Sequence, residues 1–447
     1  MLDSTAALAT TATSSYGWWT KRVHIGPYTH PGSDSLSIAE FQENIIAIIR
    51  HCPHVELFIV ERPLGSSFGS IMDALARYAS RRLHTIHLNI PGDSVSKLIW
   101  ALNALPHIVA AHINIQTDVS PTEEVARLGS AADLRLKLPY LQQISLRGFV
   151  GTLLEQLGGW DLPSLRSFSI DDSTSSQDPQ DVIEFLKYHG FSLLLLDLNL
   201  KNFIDVPLVL DLCPNLQTFA FNADRRIAPH NDVTSKIVER PHQHITTIGL
   251  HGLYYAFGVG SRYVLATENI SFEANYASRS NDLNVSALNK YNFPKLTRIR
   301  AVNRDMLEDL NTSNGPSREN GGYHRWLRWW TTCADAGIRL EDCTGQLLGT
   351  LPEANSEEES EDEDEDEDDG DSEEEDDSDE EDGDDSEDNT HSQPEYDDRT
   401  NWRTGNILQV PEVLTQLIHE VKAMNETRDE ALIASIIMPR PPSPSDS

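Results

Sequence analysis

The chain has only four cysteines in 447 residues, and none forms a C-x-x-C pair. Cys52 and Cys213 sit in matching contexts, "HCPHVELF" and "LCPNLQTF". That spacing excludes a disulfide framework or a zinc site, and the cysteines read as small buried residues in a reducing compartment. Long apolar runs are also missing, so no segment is expected to span a bilayer. The stretch from Met1 to Trp19 lacks the charged and apolar regions of a secretory signal. The expectation is a soluble protein of the cytoplasm or nucleus with no membrane partner.

Catalytic motifs are absent too. There is no G-x-S-x-G, no H-E-x-x-H and no phosphate loop, and "GVG" at Gly258 to Gly260 lacks a third glycine. The 16 histidines do not assemble a ligand set. His84 and His87 leave opposite faces of one strand, His51 and His54 flank a proline, and His242 and His244 have no nearby Cys or carboxylate pair. The sequence therefore predicts no enzyme, no cofactor and no metal.

Basic charge is scarce where it would matter most for nucleic acid. Of 71 acidic residues, 30 lie between Glu353 and Asp398, where Lys and Arg are absent, which leaves 41 acidic against 35 basic residues elsewhere. The net charge of −36 thus belongs to one tract. A folded part near neutrality, without a basic stripe, excludes DNA or RNA as the expected partner. The tract itself cannot bury enough apolar surface to fold, and residues 353–400 are expected to be disordered. Such a tract suits binding of basic proteins by long-range charge neutralisation. Ser356, Ser360, Ser372 and Ser378 each precede an acidic residue three positions on, where phosphorylation would deepen the charge.

What is present is a repeat. A phrase h-x-x-h-x-h, with h apolar and often preceded by Pro-x, starts at Val55, Leu83, Ala110, Leu141, Leu165, Leu193, Leu216, Ile245, Thr267 and Leu296. A weaker copy starts at Thr20, and "GIRLEDC" near Ile338 supplies one more strand. Helical signals lie between the copies. Ser37 and Glu40 can form a capping box before Ile38, Phe41, Ile45 and Ile48. A helix from Asp181 turns Val182, Phe185 and Leu186 inward and stops at Gly190, and similar faces follow Ser70 and Ser94. Units that cannot bury their apolar faces alone must stack, which predicts an α/β solenoid over residues 16–352 with parallel strands on its concave side. Residues 1–15 are expected to be a disordered N-terminus.

In that arrangement the positions between the apolar ones face the concave surface, and they nominate a protein-binding face. Its expected residues are His87, Arg147, Asp171, Asp197, Asn199, Lys201, Asn222, His251, Glu273, Arg298 and Arg300. Acidic positions gather in the middle and basic ones near the last strands, a mixture suited to a protein partner.

The repeat phrase, the irregular helix-bearing units and the Cys-Pro openings resemble leucine-rich repeats, in particular those of fungal F-box/leucine-rich-repeat proteins, from about Trp18 to Cys343. The resemblance implies that the repeats hold a protein substrate while an F-box docks on a ubiquitin-ligase adaptor. No F-box is evident before Trp18, and the Asn that usually follows the strand is mostly absent. Repeats followed by an acidic tract also resemble the acidic leucine-rich nuclear phosphoproteins, which implies histone or phosphatase partners.

Three further segments complete the expectations. "NTSNGPSRENGG", Asn311 to Gly322, reads as a loop. In residues 401–438, Val413, Leu414, Leu417, Ile418 and Val421 form the apolar side of an amphipathic helix, and 439–447 is a Pro-rich tail. In "YHRWLRWWTTCADAG", Trp326, Trp330 and Cys333 share a helical face, and Gly337 can stop the helix. These tryptophans are expected to cap one end of the stack, with Trp18 and Trp19 capping the other.

Overall fold

The computed structural model describes residues 16–26, 37–116, 128–172, 178–225, 237–268 and 272–349. The chain divides into Met1–Leu351 and Pro352–Ser447, and the second unit lies outside the described residues. The acidic tract, the amphipathic segment and the Pro-rich tail, like residues 1–15, fall there too.

Among the described residues eleven strands form one all-parallel sheet in sequence order. They are β1 (Arg22–Ile25), β2 (Leu57–Val60), β3 (Thr85–Pro91), β4 (Ala110–Gln116), β5 (Gln143–Gly148), β6 (Ser167–Asp172), β7 (Leu195–Leu200), β8 (Thr218–Asn222), β9 (Thr247–His251), β10 (Arg298–Ala301) and β11 (Arg339–Glu341). Helices alternate with them: α1 (Tyr16–Trp19), α2 (Ile38–His51), α3 (Phe68–Tyr78), α4 (Val95–Asn103), α5 (Gly151–Leu157), α6 (Pro179–His189), α7 (Val206–Leu212), α8 (Ser261–Glu268), α9 (Phe272–Ala287), α10 (Arg304–Thr312) and α11 (Gly322–Asp335). Strands that follow one another in both sequence and space are the geometry of stacked repeats.

Apart from β4, which begins on the first residue of its phrase at Ala110, the strands begin two residues into their phrases. The first apolar residue, as at Val55, Leu83, Leu165, Leu193 and Leu296, is fully buried in the turn before the strand. Just after it the backbone makes a recurring contact. The carbonyls of Lys21, Glu56, His84, Val109, Gln142, Arg166, Leu194, Gln217 and Thr246 each accept two N–H groups from the next unit, at 2.7–3.2 Å. Alternate strand residues such as Phe58, Ile86, Ile144, Phe168, Leu196, Phe219, Ile248 and Ile299 then turn to the helices and are buried. Cys52 and Cys213 occupy the residue before the proline of the turn, both buried, and burial pushes the Cys213 thiol up to about 12. Cys333 is buried as well, whereas Cys343 is half-buried.

The helix signals land as follows. Ser37 Oγ accepts the Glu40 N–H at 3.2 Å and Glu40 Oε2 accepts the Ser37 N–H at 2.9 Å, completing the capping box of α2. Helix α6 starts earlier than Asp181, because Asp178 caps it ahead of Pro179 at the first helical position. Helix α10 runs on to Thr312, so the loop expected from Asn311 is confined to 313–321.

Two expectations are overturned. The phrase at Thr267 adds no strand among the described residues: Thr267 and Glu268 close α8 and Phe272 opens α9, while 269–271 lie outside the described residues, so Glu273 lies on a helix and not in the sheet. The end caps also differ. Trp326 and Trp329 are each 3% exposed, while Trp330, one residue further round the helix, is half-buried. Trp326 Nε1 donates to Leu348 O at 2.8 Å, and Gly337 at φ +64° stops the helix while Ile338 N–H returns to Cys333 O. At the other end Trp18 and Trp19 are 50% and 72% exposed, and Trp18 meets only the edge of His54 among described rings, at 4.4 Å.

This asymmetry predicts that Trp326→Ala destabilises the fold by about 3–5 kcal/mol, the usual cost of emptying a large aromatic site. Trp19→Ala should stay within about 0.5 kcal/mol, as for an exposed residue. Urea unfolding followed by circular dichroism measures both, and similar losses for the two would reverse the assignment of the capped end.

Candidate functional site

The strand face turned away from the helices carries three rows of side chains set by the parallel register. The central row runs His24, Ile59, His87, His112, Ser145, Ser169, Asp197, Ala220, Gly249, Arg300 and Glu341. The next row, two residues along each strand, holds Asn89, Asn114, Arg147, Asp171 and Asn199 in register, and then Asn222 beside His251. Arg298 opens β10 beside Arg339. Lys201 follows β7 directly. Ten of the eleven expected positions are therefore on this face or at its rim, and Glu273 is not among them.

Within the second row the hydrogen bonds converge on one carboxylate. Asp171 Oδ1 accepts from Asn199 Nδ2 at 2.9 Å, and Asp171 Oδ2 faces Arg147 Nε at 3.5 Å. Asn199 Oδ1 accepts from Asn222 Nδ2 at 3.1 Å, and Asn222 Oδ1 accepts the Asp224 N–H at 3.1 Å. Beside this chain His251 Nε2 meets Asp197 Oδ1 at 2.6 Å, and Ser169 Oγ donates to Asp197 Oδ2 at 3.4 Å. His251 reaches across β8 because Ala220 and Gly249 fill the intervening central-row positions. A Cβ on Gly249 would stand 2.8 Å from the Ala220 Cβ and 3.3 Å from Val302. Burial depresses the His251 pKa, but Asp197 and then Asp171 more than offset it, and the net shift is upward.

The first four units differ. His87 and His112 pack with ring centroids 5.8 Å apart, and His24 Nε2 lies 2.9 Å from Glu61 Oε1. Burial, then the neighbouring His87, lowers the His112 pKa to about 4, so this ring is neutral at physiological pH. Among the described residues no three His, Cys, Asp or Glu side chains are placed to hold a metal ion. No described helix is long and apolar enough to cross a membrane.

The largest structural departure is the connection from β9 to β10. It spans 46 residues, whereas the other strand connections span 17 to 37. Its helix α9 is fastened to the 3-10 turn Ala223–Arg225 by a buried polar lock. Ser280 Oγ and Asn284 Nδ2 both donate to Ala223 O, at 2.8 and 2.9 Å. Asn281 Nδ2 and the Leu253 N–H donate to Asp224 Oδ1, at 2.9 and 3.1 Å. Ser280, Asn281, Asn284 and Asp224 are all buried. Burial raises the Asp224 pKa, against these donors and the Tyr254 N–H, which lower it. On its other side α9 presents Asp282 to Arg325 Nε at 3.1 Å, Arg328 Nη2 at 2.7 Å and Trp329 Nε1 at 3.1 Å, which ties it to the α11 cap.

So fastened, this connection walls a cavity of about 520 Å³ beyond the ends of β6 to β9. Asp171, Asn199, Asn222 and His251 form its sheet side, and Tyr254, Arg262 and Tyr276 its far side, with Lys201 at the margin. His112, Asn89 and the whole far wall were not singled out from sequence. His112 shares its strand with Asn114 at equivalent alternation, and the wall comes from a segment that breaks the repeat.

No protein-family model matches this sequence, and no relative is found among characterised proteins.

Two outcomes follow. Asn281→Ala should cost about 1–3 kcal/mol, because it strips a donor from a buried carboxylate, and urea unfolding reads this directly. For His251 the folded-state pKa lies above its ordinary value of about 6.5, so its pairing contributes fully below that pH and is lost as pH rises through the folded-state value. The stability gap between wild type and His251→Gln should be widest below about pH 6.5 and narrow as the pH rises above it. A gap independent of pH would dismiss the pair as a charged one.

Proposed function

We propose that the chain is a non-enzymatic protein-recognition scaffold of the leucine-rich-repeat kind, and that the strand face from β5 to β9 is where a partner polypeptide sits. One observation carries this reading. Arg147, Asp171, Asn199 and Asn222 come from successive strands and bond to one another, on the sheet face turned away from the packed helices. Side chains ordered before binding lose little entropy when a partner arrives, which favours recognition. The same atoms make poor catalysts. Asp197 is occupied by His251 and Ser169, which suits an ordered surface better than a reacting group.

In the resemblance to F-box/leucine-rich-repeat proteins, the partner is the substrate of a ubiquitin ligase, and the chain works in the cytoplasm or nucleus. Co-purification with the ligase adaptor is the expected result for that part of the proposal. Clean absence of the adaptor removes the ligase role and leaves the recognition face standing.

A second reading is favoured by the 30 acidic residues from Glu353 to Asp398, with no Lys or Arg among them. In it the chain resembles the acidic nuclear phosphoproteins and holds histones or other basic proteins through that tract. Deleting residues 353–398 should then abolish binding to core histones at moderate salt, and undiminished binding rejects it.

The recognition face is tested by photo-crosslinking in cells. With p-benzoylphenylalanine at Arg147, which is exposed, a discrete protein adduct is expected. At Tyr188, exposed on helix α6, none is expected. Equal labelling from both positions, or none from Arg147, would sink the proposal.

A further inference from the structure

We infer that the cavity under the β9–β10 connection receives an oxyanion carried by the partner polypeptide, either a phosphorylated serine or threonine or a carboxylate. This inference rests on the recognition reading above and gives its central pocket a chemistry.

The charges around the cavity are not equivalent. Its carboxylates are turned inward and committed. Asp171 is held by Arg147 and Asn199, and Asp224 is buried under Asn281 and the Leu253 N–H. Arg225 acts electrostatically on Asp224 and Tyr276, so it belongs to the wall. The remaining cations are turned outward. Lys201 is exposed, with no ion-pair partner among the described residues. Arg262 is exposed, lies with its guanidinium carbon 4.0 Å from the Tyr254 ring centroid, a stack that orients the fork, and acts electrostatically on Asp309. Arg304 meets the exposed Glu308, one turn along its own helix, at 3.1 Å. Against these three stand Glu308, the half-buried Asp309 beside Arg262, and Asp305, exposed in the first turn of α10 and therefore partly neutralised by the helix N-terminus. A cationic partner group would find Asp171 and Asp224 already filled with donors. An oxyanion would meet the Lys201 ammonium, which has no ion-pair partner among the described residues, and the exposed Arg262 guanidinium, and the tyrosine hydroxyls and asparagine amides of the same lining can add neutral donors.

The long β9–β10 insertion builds this pocket: α9 is locked down by buried amides, so its part of the wall is held in place without needing the ligand to order it.

The test uses the full chain and three immobilised peptide libraries, identical and otherwise randomised, with phosphoserine, glutamate or serine at a central fixed position. Wild type should retain phosphoserine or glutamate peptides about tenfold better than serine peptides, the scale of one charge-assisted contact. The Lys201→Glu/Arg262→Glu variant should lose that preference, and Lys201→Arg should keep it. Both altered residues are exposed, so the variant should melt with wild type. Preference confined to phosphoserine assigns the phosphate source, and preference shared by glutamate the carboxylate source. No preference by wild type, or a preference that survives in the double variant, overturns the inference. The Arg147 adduct separates the two levels. If it persists while the libraries are not discriminated, the pocket chemistry alone is wrong, and if it is absent, the recognition reading fails with it.

Discussion

Every feature of the open face depends on one backbone contact repeated along the stack. A single carbonyl in each unit accepts two N–H groups from the next, from Lys21 through to Thr246. Sharing one oxygen between two donors pins the starting residue of each strand to that of its neighbour. Because side chains alternate with period two, a slip of one residue would exchange the buried row for the open one. The buried turn residues such as Val55, Leu165 and Leu193 hold the carbonyl in place from beneath. The alignment of Asp171, Asn199 and Asn222 into one hydrogen-bonded chain is then a by-product of register, not of any local motif.

Two kinds of energy meet at the cavity. The stack below is apolar and forgiving, since one aliphatic residue can replace another at modest cost. The fastening of α9 is polar and unforgiving, because amides and a carboxylate removed from water must each find their partner. Small residues make the arrangement possible on the sheet side. Ala220 and Gly249 leave the space through which His251 joins Asp197, so the two least conspicuous residues of the central row decide its electrostatics.

Most of this architecture was legible in the sequence. The h-x-x-h-x-h phrase with its Pro-x opening reports directly on burial, and it located strands from Thr20 to Ile338. It failed at Thr267, where the phrase lacks the proline turn and its described residues belong to the end of α8 and the start of α9. Helix α9 was hidden for a physical reason. The residues that seat it, Ser280, Asn281 and Asn284, are polar yet buried, so hydrophobic periodicity gives no sign of them. Trp329 was mistaken for Trp330 because both lie one turn from Trp326 and one turn from Cys333, and only packing on Phe257, with ring centroids 5.5 Å apart, selects between them. His112 poses the same difficulty on a strand, where it shares its face with Asn114 two residues on.

Stacked repeats joined by identical backbone contacts are translationally equivalent: any unit could be duplicated or deleted and its neighbours would rejoin in register. The lock between α9 and the Ala223–Arg225 turn removes that freedom at one place. It ties the unit ending in β8 to the connection after β9 and, through Asp282, to the final helix. Units before β8 thus stay open to gain or loss over evolutionary time, while the last four strands form an indivisible block. In a structure that otherwise has no natural origin for counting, three buried amide and hydroxyl contacts give the chain a fixed address.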